Sequence, residues 1–334
     1  MSGHDIIVIG ASAGGVEALR ELARGLPSNL PAAVFIVLHI PPASPSLLPR
    51  ILNSSGPLRA RHAINGEAIE RGRIYIAPPD HHLLIERDRV RVVRGPKENR
   101  ARPAADPLFR SAAYSYGTRV VGVVLSGALD DGTAGLAAIK RRGGLTVAQD
   151  PEEAPYPGMP RSAKENVALD HCLPVARIAP LLGQLATVPA KDDAVYPMSE
   201  ILKVENTIAR LEESDMADVE KIGELSAFTC PDCRGALWEL RDGDLLRFRC
   251  HVGHAFSAES LMADQSEELE NALWAALRSL EENAALARRM AARAGERNHT
   301  VSVMQFEENA RRVEQHAAVI RQVLHNSEKP PVDD

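Results

Sequence analysis

The 334-residue chain is poor in cysteine, in aromatic residues and in long apolar runs, and each shortage excludes something. Four cysteines are too few for a disulfide scaffold at this length, and three of them fall in one metal-like cluster. No apolar run approaches the roughly 20 residues of a membrane span. The amino terminus lacks the basic region, apolar core and small-residue cleavage site of a secretory signal. A cytoplasmic protein without membrane insertion is expected. Aromatic residues make up 4% of the chain, and neither half has the basic, aromatic surface of a nucleic-acid binder, so nucleic acid is not an expected partner. The net charge of −6 hides an asymmetry: residues 1–190 hold 22 Lys and Arg against 17 Asp and Glu, and residues 191–334 hold 17 against 28. A mildly basic first half suits an acidic protein surface. The length suggests two domains, and a 45% hydrophobic content is enough for a sizeable core.

What is present starts at residues 5–15, DIIVIGASAGG. The β-branched run Ile6-Ile7-Val8-Ile9 reads as a strand buried on both faces, Gly10 breaks it, and a helical pattern with Val16, Leu19, Leu22 and Ala23 follows. Ser12 thus sits at a strand-to-helix turn, where unpaired N–H groups and the helix dipole can activate a hydroxyl or hold an oxyanion. A helix N-cap is the competing explanation. A dinucleotide loop is another, but the spacing is G-x-x-x-G-G, and the place of a ribose-binding acid at the second strand's end holds His39. Residues 10–14 match the esterase elbow G-x-S-x-G, which alone is weak evidence.

Further buried strands are expected at 32–38, 120–125 and 144–148, with shorter ones at 73–77 and 82–85. The last of these and Arg89–Val93 read as a hairpin turned at Arg87-Asp88. Helices are expected at about 46–52, 106–116, 133–141 and 161–167. Strand and helix alternate, so the fold class is α/β, a doubly wound, mostly parallel sheet with a β-hairpin. Sites in such sheets form outside the carboxyl ends of the strands. Ser12, His39 and Asp131 share that edge, and a hydroxyl, an imidazole and a carboxylate are the parts of a catalytic triad. Asp131 could instead cap its helix, and Asp130 is an equal candidate by chemistry. His81-His82 is read as structural, because adjacent strand residues point to opposite faces.

Residues 187–198 read as a linker, followed by a helix over 199–213 with Ile201, Val204, Ile208 and Leu211 inward, and an acidic connector to about Ser226. Cys230 and Cys233 form a CxxC knuckle, and Cys250 with His254 forms a second. Three thiolates and an imidazole are a closed tetrahedral set, so a structural zinc is expected, with His251 as the alternative fourth ligand. A hairpin turned at Asp242-Gly243 between the knuckles makes the module zinc-ribbon-like. Two helices end the chain, about 258–295 and 300–325, forming an antiparallel helical hairpin. Leu269, Leu273, Leu277, Leu280 and Leu286 on the first and Met304, Ala310, Val313, Ala317, Ile320 and Leu324 on the second are spaced to pack inward between the two helices, with a docking or dimerisation surface as the alternative. The expected division is 1–188 catalytic, 189–226 linker with a short helix, 227–257 zinc-ribbon-like and 258–327 helical hairpin.

Residues 5–183 resemble the catalytic domain of the CheB-type chemotaxis protein-glutamate methylesterases. The likeness runs through GASAGGVEAL, LHIPP, GRIYIAPPDHH, NRARPAADPLF, VVGVVLSGALDDGTAGL and GMP, in that order. It implies a serine hydrolase that removes methyl groups from glutamyl methyl esters on the cytoplasmic helices of chemoreceptors, with glutamine deamidation as a sibling reaction. It implies Ser12 as nucleophile, His39 as base and Asp131 as the aspartate, since the family's G-M-G-x-D-G lies over residues 127–132. The chemistry implied needs no cofactor. Backbone N–H groups near Ala13 and Ala128 would hold the oxyanion, and Arg100 and Arg102 could hold substrate or simply be solvated. The chain departs from the family at Ala13, Ala128 and Leu129; the glycine replaced at 129 is one that could require a positive φ. The first strand begins too early to leave room for a receiver domain of ~120 residues. The C-terminal half is expected to position the enzyme, through a partner or a homodimer, without supplying chemistry. A signalling scaffold built on an esterase-like fold is the alternative function.

Overall fold

The computed structural model describes residues 3–212 and 216–327. In chain order the first elements are β1 (Ile6–Ala11), α1 (Gly15–Gly25), β2 (Ala33–Leu38), α2 (Leu48–Ser55), β3 (Arg59–His62), β4 (Arg73–Ile76), β5 (His82–Glu86), β6 (Arg89–Val93) and α3 (Ala105–Tyr116). There follow β7 (Val120–Val124), α4 (Thr133–Arg141), β8 (Leu145–Gln149), α5 (Gly158–Asn166), β9 (His171–Leu173) and α6 (Val175–Leu185). Seven strands form one parallel sheet in the order β3-β4-β2-β1-β7-β8-β9, and β5 and β6 form a separate antiparallel hairpin.

The apolar run of β1 has the expected two-faced use. Ile7 and Ile9 pack with Leu19, Leu22, Ile178 and Leu182 of α1 and α6. Ile6 and Val8 pack with Leu108, Phe109, Leu136 and Ile139 of α3 and α4. Every residue of β1, β2 and β7 is buried, as a sheet covered by helices on both faces requires. The sheet is therefore the middle of three layers, and its strand ends are the places left for chemistry.

The second half is more ordered than its polar sequence suggests. Helix α7 (Glu200–Ala209) begins at the Ser199 N-cap and packs on the first half. It stops short of the expected end: Leu211 has φ 56° and is 56% exposed. The acidic connector holds α8 (Met216–Ile222) and β10 (Gly223–Thr229). With β11 (Ala236–Asp242), β12 (Leu245–Cys250) and β13 (Ala255–Ser257), β10 makes a four-stranded antiparallel ribbon.

Residues 1–261 form one compact unit, so the ribbon is packed on the α/β layers. The join is a buried ionic cluster. Glu205 of α7 accepts from Arg247 and Arg249 of β12, with Arg249 at 2.7 Å, and Glu98 accepts from Arg110 of α3 at 2.6 Å and from Arg249 at 3.2 Å. Asp242 takes the other side of Arg247 at 2.8 Å. Burying charge costs desolvation, so such a cluster stabilises little in net terms, but it tolerates only one docking geometry.

A second compact unit begins at Met262. Helices α9 (Ala258–Glu296) and α10 (Thr300–Ser327) pair through Leu273, Leu277 and Leu280 against Ala317, Ile320 and Leu324. Ala284, Ala287, Ala291 and Ala294 continue the seam at alternating three- and four-residue spacing. Leu286 lies one residue off that seam and Met304 off its counterpart. Together with Leu269 they are at least 60% exposed, against the expected inward placement.

Candidate active site

Strands β2, β1 and β7 are neighbours, and all three end at one edge. Ser12 follows β1, His39 follows β2 and Asp131 follows β7. The backbone knits these ends together: Ser12 N–H donates to the Ser126 carbonyl at 2.9 Å and His39 N–H to the Ala11 carbonyl at 3.1 Å. Both capping alternatives fail. The N-cap of α1 is Gly14, at φ 70°, and that of α4 is Gly132, at φ 93°, each without a side-chain cap. The Ser12 hydroxyl and the Asp131 carboxylate are thus left for other work.

Asp131 is 2% exposed and lies 2.7 Å from His39 Nε2 through its Oδ2. A carboxylate only accepts, so Nε2–H donates, and Nδ1 is left as the base atom. Asp131 also accepts from Ala105 N–H at 2.6 Å, Asp106 N–H at 3.2 Å and Asn99 Nδ2 at 2.9 Å. Burial opposes ionisation, but the donors led by His39 outweigh it and hold the Asp131 pKa below the ordinary aspartate value. Burial and the Asp131 charge push its neighbour Asp106 up to about 7. Asp130 turns away, accepting from the Ser257 hydroxyl at 2.7 Å, so the geometry separates two aspartates that were equivalent by chemistry.

Ala13 and Ala128 flank Ser12, and neither N–H has an acceptor among the described residues. Their loops are pinned by Ser126, whose hydroxyl donates to the Ala13 carbonyl at 2.8 Å and accepts from Tyr156 N–H at 3.1 Å. Leu129 has φ 57°, so the position does require the left-handed region, and a leucine occupies it at a cost of about 1 kcal/mol. Gly158 makes the turn possible: a Cβ there would lie 2.8 Å from the Leu129 nitrogen.

Arg102 is engaged by Asp80 at 2.6 Å and by the Gly95 carbonyl at 2.7 Å. It fixes its own loop and is not a solvated arginine. Arg100 is partly exposed at φ 68°. His82 is buried between the Pro96 carbonyl, at 2.8 Å, and Ala104 N–H, while His81 turns to the Pro79 carbonyl; the histidine pair does not converge.

In the ribbon, the ligand atoms of Cys230, Cys233, Cys250 and His254 all lie within 4.8 Å of one another. The Cys233–Cys250 Sγ separation is 3.7 Å, and His254 Nδ1 lies 3.7 Å from Cys230 Sγ and 3.6 Å from Cys250 Sγ. Zinc–sulfur bonds of about 2.3 Å in a tetrahedron give edges of about 3.8 Å, so the donor set fits that ion. His251 is exposed and outside the group. Cys230 and Cys250 sit in a small core with Leu237, Phe248, Phe256 and Leu261.

The sequence reading missed Asn99 and Ser126. Ser126 directly follows a buried strand at the site edge, which is a usable signal. Asn99 lies in a loop beside Arg100 and Arg102, and nothing local marks it.

The fold and the strand-end constellation define a doubly wound α/β domain with serine, imidazole and carboxylate at adjacent strand ends. Comparison with known proteins narrows this class. Residues 7–182 match the CheB methylesterase family model, more than half of the chain, and the chain belongs to that family. It is 40% identical over 180 residues to the Rhodospirillum rubrum "Protein-glutamate methylesterase/protein-glutamine glutaminase 2", covering 53% of this chain but 49% of that protein, so the chain spans about half the length of this relative. A Leptospira interrogans relative is 40% identical over 183 residues, which are 54% of this chain and 95% of the relative. The solved Thermotoga maritima CheB methylesterase catalytic domain superposes with a TM-score of 0.53 at 36% identity, covering 55% of this chain and all of that one. No described helix is long and apolar enough to cross a membrane.

Proposed function

We propose that the protein is a protein-glutamate methylesterase that acts as a serine hydrolase on methylated chemoreceptor helices. The observation that carries the reading is the buried Asp131 carboxylate, 2.7 Å from His39, at the strand end beside Ser12. His39 Nδ1 takes the Ser12 proton as Oγ attacks the ester carbonyl. The N–H groups of Ala13 and Ala128 receive the oxyanion. His39 returns the proton to the leaving methoxide, methanol departs, and a water activated by the same imidazole releases glutamate. With glutamine as substrate the same steps release ammonia. Arg100 is the substrate contact, and Arg102 holds the loop that presents it.

Cys230, Cys233, Cys250 and His254 hold a structural zinc, supported by their donor set and spacing. Four protein ligands leave no open position, so the ion supplies folding energy only. The exposed Leu269, Leu286 and Met304 of the helical hairpin are offered to a partner or a second copy. The test of the esterase reading is methanol release from methylated receptor. Ser12→Ala should abolish it, and full activity in that variant would remove the serine-hydrolase reading.

A further inference from the structure

The expected division of labour leaves the ribbon outside the chemistry, yet its backbone bonds Asn99, a direct partner of Asp131. Asn99 lies in the loop between the β5–β6 hairpin and α3, at φ 47°, and is 9% exposed. Its Nδ2 donates to Asp131 Oδ1 at 2.9 Å and to Asp106 Oδ2 at 2.8 Å. An amide has two such hydrogens, one for each carboxylate.

The other side of Asn99 belongs to the ribbon and to the first turn of α9. Its N–H donates to the Ala255 carbonyl at 2.8 Å. Its Oδ1 accepts from Ser257 N–H at 3.0 Å and from the Ser260 hydroxyl at 3.2 Å. The amide is therefore fully used, and its orientation is dictated: the two donors on Oδ1 force the NH2 group toward the carboxylates. A flipped amide would set donor against donor at Ser257 and Ser260 and acceptor against acceptor at the carboxylates. Ser257 adds a second grip, donating to Asp130, the residue before Asp131, while accepting from Ser260 N–H as the N-cap of α9.

We propose that Asn99 is a positioning residue through which the ribbon and the first turn of α9 orient the catalytic Asp131 toward His39. This inference rests on the triad reading above. Asp131 reaches His39 from a loop on the far side of β1, and a carboxylate can rotate about its side-chain bonds. Asn99, with the Asp106 N–H, holds Oδ1, and so turns Oδ2 to Nε2 and the Ala105 N–H. The docked ribbon thereby becomes part of the reaction machinery without touching substrate.

The test is a double-mutant cycle in the full chain, read by methanol release from a peptide carrying a glutamyl methyl ester. Asn99→Ala should lower kcat about 10- to 100-fold, the weight of a hydrogen bond to a charged group, with KM held within about threefold. Ser260→Ala should lower kcat severalfold in the native background and clearly less in the Asn99→Ala background, because its path to Asp131 through Asn99 Oδ1 is then gone. Equal effects of Ser260→Ala in both backgrounds, or a native kcat in Asn99→Ala beside an inactive Ser12→Ala, would overturn the positioning role alone. Activity surviving in Ser12→Ala would overturn the triad reading, and the positioning role with it. If Asn99→Ala does not fold, Ser260→Ala alone decides: a fall in kcat at constant KM supports the role, and an unchanged kcat overturns it.

Discussion

The two ends of the parallel sheet each bury an aspartate, and the partners make them different tools. At the amino end, Asp5 accepts from Arg119 Nε and Nη2 at 2.8 Å and from Arg71 Nη2 at 2.7 Å. At the carboxyl end, Asp131 accepts from an imidazole, an amide and two backbone N–H groups. Burial opposes ionisation at both, and at both the donors win, so both pKa values lie below the ordinary one. Arginine is charged at every accessible pH, so Asp5 stabilises the resting fold. In the proposed mechanism the imidazole on Asp131 gains a positive charge as it accepts the Ser12 proton, so much of the Asp131 attraction would be realised in the transition state.

The sharpest way to break this comparison is at the carboxyl end. Ser12→Ala and His39→Ala should each lower ester hydrolysis by at least ~10³-fold, while the Ser12→Ala protein melts as the native one does. Loss of activity and folding together would make this end structural as well. The ribbon is proposed to hold a site of the opposite kind, whose members supply folding energy. Cys250→Ser should reduce bound zinc from about one per chain to nearly none and lower stability by about 3 kcal/mol. Metal analysis and a melting curve decide it; retained zinc with unchanged melting removes the ligand assignment.

At the amino end, Asp5→Asn should cost about 2 kcal/mol at neutral pH and leave kcat unchanged. The folded pKa is depressed, so the Asp5 contribution is present in full above the ordinary aspartate value of about 4 and is lost as pH falls through the folded pKa. Denaturation of the two proteins should therefore converge in acid; a gap that persists there would assign the loss to packing. The smallest effect is expected at Leu129→Gly. Relief of the left-handed backbone is offset by the freedom glycine gains when unfolded, so stability should change by less than ~1 kcal/mol and activity by less than ~3-fold. A large activity loss would reveal a side-chain contact to substrate.

Much was legible in the order of residue types. The β-branched runs declared the parallel strands, since only a strand covered on both faces needs to be apolar throughout. Alternating strands and helices then put Ser12, His39 and Asp131 at one edge, and the two knuckles marked by spacing alone the four side chains that cluster in the ribbon. Helical stripes were read less well. Leu269, Leu286, Leu211 and Met304 were expected inward on apolar character, but inward position depends on the partner helix, on the seam of small residues and on where the helix ends.

What the sequence determined by itself is the chemistry available: a hydroxyl at a strand-to-helix turn, an imidazole and carboxylates at strand ends, and three thiols with a histidine at metal-binding intervals. Local bonding and periodicity suffice for that, because each depends on neighbours a few residues away. Only the tertiary structure paired His39 with Asp131 and Ser257 with Asp130, engaged Arg102 with Asp80, and set Asn99 between the ribbon and Asp131. Those outcomes are contacts between segments up to about 160 residues apart, such as Ser260 with Asn99. They depend on docking geometry, which the buried Glu98, Glu205, Arg110 and Arg249 cluster selects by leaving any other arrangement with unpaired buried charge.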